Sequence, residues 1–321
     1  MGAEARTKSS TTDIISSPEL LTTMTSGTIK LTSFDRVFVK VSFTALLVFE
    51  HMGHEAIDII KRALSKALVH YYPFVGRIVS SGAIDGDEFS IYCTGDGVEF
   101  LTVSVDSTLK EAKIFDESSG AKTKALLDDL AVTKFSCGGL VLGVTWNHAI
   151  ADGIGIAQFL AAVGELACGS PSPSVIPARW DDALSKLHPW SDPVLQATLV
   201  CPESHDMELI VPLDITIPSA LINRVKAEYR SCFNGQPCMA FAVVLAILWR
   251  RRIRATMSNN PGVPVYVTSA TNMRKFMGAK DGYYYNCVAN HLLIVATRGT
   301  VAEAGVVDLI RMIKQAKDLT R

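Results

Sequence analysis

No CxxC pair occurs in this chain, although it holds seven cysteines. Scattered thiols of odd number argue against a disulfide framework or a zinc ribbon, and point to reduced cysteines in a cytoplasmic protein. Long apolar runs are lacking too. The longest, residues 239–249, is too short to cross a bilayer and reads as a buried helix. The N-terminus, MGAEARTKSSTTD, lacks the apolar stretch of a signal peptide, and Arg6 stands where a myristoylation signal has Ser or Thr. Charge of one sign is also missing: 31 basic and 32 acidic residues leave a net charge of −1. Neither nucleic acid nor a membrane is therefore expected as a partner. The densest basic run, RRRIR at 250–254, follows an apolar segment and reads as the decorated end of a helix. A GxSxG elbow and a Gly-Lys-Ser/Thr phosphate loop are absent, as is any internal repeat.

What is present is a chain of 321 residues with 48% apolar content, enough for two cores rather than one. The first dozen residues, rich in Ser, Thr and charge, read as disordered, and residues 1–26 as a tail. Residues 33–50 alternate and then turn apolar, as strands do. Ile57, Ile60, Leu64 and Leu68 recur at helical spacing and predict a helix over 55–69, ended by Pro73. Segments 77–81 and 88–93 flank Asp85-Gly86 and predict a hairpin. The Pro- and Ser-rich stretch 171–205 reads as a crossover linker between a domain at 27–170 and another at 206–321. Beyond it, helices are predicted over 218–229 and 238–249, strands over 263–270 and 288–297, and a final helix carrying Val306, Leu309, Ile310 and Ile313. Mixed helices and strands predict an α/β or α+β sandwich in each half.

The most informative stretch is LVLGVTWNHAIADGIG, residues 140–155. Residues 140–146 are apolar on both faces, as expected of a strand inside a sheet. An amphipathic helix follows over 156–167, with Ile156, Phe159, Leu160, Val163, Leu166 and Ala167 on one stripe. His148 then stands at a strand-to-helix turn, held by rigid elements yet open to a cleft, which suits a general base. Asn147 and Trp146 read as residues that shape or pack this turn, with Gly153 as a motif neighbour. On its own, an HxxxD pair favours a core histidine bonded to Asp152 and doing no chemistry, since two polar residues four apart are common by chance.

Four segments, taken in order, change that balance: LSKALVHYYPFVGRI (64–78), FSCGGLVLGVTWNHAIADG (135–153), TNMRKF (271–276) and GYYYNCV (282–288). In this order they resemble the plant BAHD acyl-CoA-dependent acyltransferases over most of the chain after about residue 27. The resemblance implies two domains of chloramphenicol-acetyltransferase-like fold and acyl transfer from a coenzyme A thioester to an alcohol or amine, in plant specialised or cell-wall metabolism. It implies His148 as the base, no bound cofactor or metal, acyl-CoA as co-substrate, and a monomer when complete. It also implies an ion pair between Asp152 and Arg274 that bridges the two domains, the alternative being an Asp152 that orients the imidazole.

The family's Asp-Phe-Gly-Trp-Gly segment does not occur, and the sequence ends at KQAKDLTR. The second domain is therefore expected to be incomplete, with uncovered sheet edges, poor solubility and weakened turnover. A rival from another class is a truncated, non-catalytic binding or regulatory member, or an incomplete gene model. A hydrolase using Cys137 or a serine with His148 is a third reading, and a metal site at His148 and Asp152 a weaker fourth, since two ligands are too few. The acyl group and the acceptor are not legible in the sequence.

Overall fold

An eight-residue strand, β8 (Leu140–Asn147), carries His148 at its C-terminal end, and its first five residues are buried. The burial follows from its place in a five-stranded sheet. The computed structural model describes residues 7–17, 27–53, 55–80, 89–112, 130–178, 215–256 and 260–319. In it, β8 lies between β7 (Leu130–Lys134) and β3 (Ser42–Phe49), while β6 (Val98–Val105) and then β1 (Thr7–Ile15) continue the sheet beyond β7. Neighbours pair antiparallel except β6 with β7, which run parallel. Ladder partners on both sides satisfy the backbone of β8, and along its first five residues the apolar side chains of both faces are buried.

One face of this sheet packs Val103, Val105, Phe135 and Val141 under the short helix α3 (Leu109–Ala112), through Leu109 and Ala112. Elsewhere in the same unit, α2 (Ala56–His70) packs against α4 (Gly153–Ala167). Their apolar stripes do the work: Ile60, Ala63, Leu64, Ala67 and Leu68 are buried on α2, and Ile156, Phe159, Ala162, Val163 and Leu166 on α4. A smaller sheet is made of β2 (Thr28–Lys30), β5 (Phe89–Tyr92) and β4 (Arg77–Ser80), in that order. The last two form the antiparallel pair of the expected hairpin; its Asp85-Gly86 turn lies outside the described residues.

The chain divides into two compact units, the first built from residues 1–190 with 272–288, the second from 191–271 with 289–321. In the second, α5 (Ser219–Cys232), α6 (Ala240–Ala255), α7 (Arg298–Glu303) and α8 (Val306–Leu319) accompany a two-stranded sheet of β9 (Pro264–Asn272) and β10 (Val288–Thr297). Its core is Tyr229, Val243, Ala246, Trp249, Leu309, Ile310 and Ile313 with their neighbours. The basic run 250–254 occupies the last turns of α6, where positive side chains meet the helix's negative end.

Two expectations need correction. Within the supposed tail, Thr7–Ile15 is a strand, paired with β6 from Thr7↔Val105 to Ile15↔Val98. It sits at a sheet edge, where main-chain hydrogen bonds suffice; Ile15 is buried while residues 9–14 are exposed, so its polar composition gave no apolar signal. Residues 33–50 are not all strand: Ser33–Arg36 forms a helical turn, α1, closed by a capping box between Thr32 and Asp35, and the strand begins at Ser42. Of the expected linker 171–205, residues 179–205 lie outside the described residues.

The segment 272–288 joins the first unit along α4. A Cβ on Gly155 would lie 1.8 Å from the Tyr284 carbonyl oxygen, whereas one on Gly153 would meet nothing within 4 Å. Gly155→Ala is therefore expected to cost about 1–3 kcal/mol by overpacking, and Gly153→Ala to stay within about 0.5 kcal/mol of the parent. Urea midpoints of the two variants measured side by side test this contrast; equal midpoints would contradict it.

Candidate active site

His148 leaves β8 with its backbone already committed. Its N–H donates to the Val41 carbonyl at 2.8 Å, extending the β3–β8 ladder by one bond. The turn that follows is shaped by its own polar atoms. Asn147 Oδ1 accepts from the Ala149 N–H at 2.9 Å, and its Nδ2 donates to the Val39 carbonyl at 2.8 Å. Trp146 Nε1 donates to the Ala151 carbonyl at 2.9 Å. Both residues thus do what the sequence suggested for them: they fix the turn.

The imidazole lies between two aromatic rings. Phe38 is 4.1 Å away, centroid to centroid, and Phe43 5.0 Å. His148 Nδ1 is buried and has no hydrogen-bond partner among the described residues. With that nitrogen enclosed, Nε2 is the one available to a reacting group.

Asp152 is occupied elsewhere. As the N-cap of α4, it accepts on Oδ1 from the Ile154 and Gly155 N–H groups at 3.1 and 3.0 Å. Arg274 closes on the same carboxylate with both ends of its fork, Nη2 to Oδ1 and Nη1 to Oδ2, each at 2.8 Å. The Cys287 N–H adds a bond to Oδ2 at 3.1 Å. Five donors saturate a carboxylate that is 1% exposed. The guanidinium is equally saturated, since Nε donates to the Tyr283 carbonyl, Nη2 also to that of Tyr285, and Nη1 also to Asn272 Oδ1. The ion pair anticipated from the sequence is present and the triad-like alternative is not. One feature differs: residues 272–288 belong to the first compact unit, so the pair is internal to that unit rather than a bridge between two.

Sequence reasoning missed a second polar pair beside the first. Asn286 is fully buried; its Nδ2 donates to Asp35 Oδ1 at 2.9 Å and to the His148 carbonyl at 2.7 Å. Asp35 is buried as well, and its other oxygen accepts from the Thr32 N–H and hydroxyl at 2.9 and 2.6 Å. Burial pushes the Asp35 carboxyl from 3.8 up to about 6, against the lowering influence of its bonds to Thr32 and Asn286. A T-x-x-D capping signature was the only local signal of this residue, and it announces a helix start, not a site.

The other nucleophile candidates fall away. Cys137 precedes β8 and His148 follows it, so a fully extended strand of eight residues separates them, roughly 25 Å at about 3.3 Å per residue. Burial pushes the Cys287 thiol up to about 11, which keeps it protonated. No three His, Cys, Asp or Glu side chains among the described residues gather to hold a metal. A cavity of about 310 Å³ is lined by Arg77, Trp146, Asn147 and Ile150, among others, but not by His148.

Two outcomes are expected. Asp152→Ala strands the Arg274 guanidinium and uncaps α4, and should lower stability by about 3–5 kcal/mol, read from denaturant midpoints; a loss below about 1 kcal/mol would deny the pair its structural role. For Asp35, the folded chain holds its proton more tightly than the unfolded one. The stability linked to that proton is present below about pH 4 and lost as pH rises through about 6. The stability of Asp35→Asn relative to the parent should therefore climb between pH 4 and 6 and level off above. A flat difference would show that the carboxyl is not perturbed.

The sequence model of the Transferase family matches residues 8–320. Acyl transferase 15 of Oryza sativa subsp. japonica is 37% identical over 327 residues, covering 95% of this chain and 73% of that protein. Vinorine synthase has a similar structure, with a TM-score of 0.71 at 17% identity over 98% of this chain and 76% of its own. TRI101 of F. sporotrichioides, solved with coenzyme A and T-2, gives 0.66 at 15% identity, over 91% and 74%. At these identities the structural likeness establishes the fold: mixed α/β, of the chloramphenicol-acetyltransferase type. A family match that spans nearly the whole chain does not favour a non-catalytic binding role. The chain belongs to the Transferase family, the BAHD acyltransferases, and its activity is acyl transfer.

Proposed function

We propose that His148 is the general base in acyl transfer from an acyl-CoA thioester to the hydroxyl or amine of a small acceptor. The observation that carries this reading is the state of the imidazole. It stands at a rigid strand-to-helix turn, with Nδ1 enclosed and without a partner among the described residues, while the nearby carboxylate is spent on Arg274. Nε2 takes the proton of the acceptor as its oxygen or nitrogen attacks the thioester carbonyl. The tetrahedral intermediate then collapses, the carbon–sulfur bond breaks, and the imidazolium returns its proton to the departing thiolate. Because the acceptor attacks directly, no acyl-enzyme forms. Asp152 and Arg274 act by holding the turn and the 272–288 segment in place, with Asn147 and Gly153 at the turn itself.

The TRI101 structure with coenzyme A supports coenzyme A as the leaving group here. The kinship with a rice acyltransferase supports a place in plant specialised or cell-wall metabolism. We assign the reaction to the cytoplasm and to a protein that is monomeric when complete. Among the described residues no helix is long and apolar enough to cross a membrane.

His148→Ala is expected to lower turnover by about 10²–10⁴-fold, the usual contribution of a positioned base, with an unchanged circular dichroism spectrum. Thiol release from acetyl-, benzoyl- and p-coumaroyl-CoA with a panel of alcohols and amines provides the assay. A folded variant that keeps most of the parent's turnover would remove His148 from the chemistry.

A further inference from the structure

Most catalytic histidines are aimed by an acceptor on their second ring nitrogen. Nδ1 of His148 has none among the described residues, so its orientation comes from its main chain and from the rings beside it. On the N-terminal side, the Val41 carbonyl takes the His148 N–H and the Val39 carbonyl takes the Asn147 amide. On the C-terminal side, the His148 carbonyl is held by Asn286. Phe38, which covers the imidazole, belongs to the same turn as Val39 and Val41, and that turn begins at Asp35: the Phe38 N–H donates to the Asp35 carbonyl, and the Val41 N–H to that of Phe38. Asp35 is in turn bonded to Asn286 through its side chain.

Asn286 therefore presents one amide nitrogen to two acceptors, one on each side of His148. We propose that Asp35 and Asn286 are positioning residues for His148, a buried clamp that fixes the base through its carbonyl and through the turn carrying Phe38. The proposal rests on the reading of His148 as base.

Cost is the second argument. Among the described residues Asn286 Oδ1 is buried without a partner, and a buried carboxylate at Asp35 is disfavoured by desolvation. Asp35 also caps α1 through Thr32, a role that asks nothing of Asn286. An Asn286 with an unpaired buried oxygen adds nothing to that cap, so its contact with Asp35 reads as one kept for what it holds.

The full chain carrying Asn286→Ala should lose about 10–100-fold in kcat, with KM for acyl-CoA and acceptor within about threefold, as expected when a base is misplaced but substrates still bind. Asp35→Ala should behave alike. Asp35→Asn keeps an acceptor oxygen for Asn286 and should stay within about threefold of the parent. The double variant Asn286→Ala/Asp35→Ala should be no worse than the weaker single, since both act through one contact. In parallel, NMR of histidine-labelled protein follows the His148 ring resonance, identified by its loss in His148→Ala, and needs no knowledge of the acyl donor. It should move in Asn286→Ala and stay near the parental position in Asp35→Asn.

A folded Asn286→Ala with parental kcat, an unmoved His148 resonance, or single effects that multiply would overturn the clamp. Should Asn286→Ala fail to fold, the contrast between Asp35→Ala and Asp35→Asn decides, and equal losses in both would overturn it. If instead His148→Ala retains turnover, it is the base assignment that fails.

Discussion

A buried carboxylate that has lost water must find donors for every lone pair, and the way Asp152 meets that demand organises the site around it. Two main-chain N–H groups of α4, both ends of the Arg274 fork and the Cys287 N–H converge on it. Together they draw in three pieces of chain: the start of the helix, the loop after β9 and the residue before β10. The pair is costly to bury and more costly to break, because removal of either member leaves a charge in a dry place. Its value lies in specificity of arrangement. Once Asp152 is satisfied, the segment 272–288 can lie in one way only along α4, with Gly155 admitting the Tyr284 carbonyl and Gln158 bonding both Tyr71 and the Gly282 carbonyl.

This commitment separates the site from a serine-protease-like arrangement, although both place a carboxylate near a histidine in sequence. Here the aspartate makes structure and the histidine makes chemistry, with aromatic rings rather than a carboxylate around the imidazole. A second group of rings, Tyr71, Phe74, Phe159, Tyr284 and Tyr285, joins Tyr284 of the 272–288 segment to Phe159 of α4 through Tyr71 and Phe74.

How much of this could be read from the letters depended on whether the cause was local. The helix of Ile60, Leu64 and Leu68 and the strand of Val141 and Val144 declare themselves, because burial imposes a period on neighbouring residues. His148, Asp152 and Arg274 were legible because short motifs mark them. Strand β1 was not, since an edge strand needs main-chain partners more than apolar side chains, and TKSSTTDII has few of the latter. The Asp35–Asn286 contact was invisible for a different reason. Asn286 stands in the GYYYNCV segment with no role attached to it, Asp35 reads as an ordinary capping residue, and the two lie 251 residues apart; only their meeting beside His148 gives them meaning. Gly153 and Gly155 show the same limit on a smaller scale, being indistinguishable in sequence and opposite in steric demand.

That residues 272–288 belong with the first unit has a consequence for how the chain is made. A ribosome delivers β8, His148 and the capping turn more than a hundred residues before Arg274, Asn286 and Cys287 emerge. Domains commonly fold as their sequence becomes available, yet here the nascent N-terminal portion exposes a carboxylate with only two of its five donors and a histidine carbonyl with no amide to hold it. Until that segment is made, the sheet and its helices carry an unfinished site. The arrival of one short loop completes it.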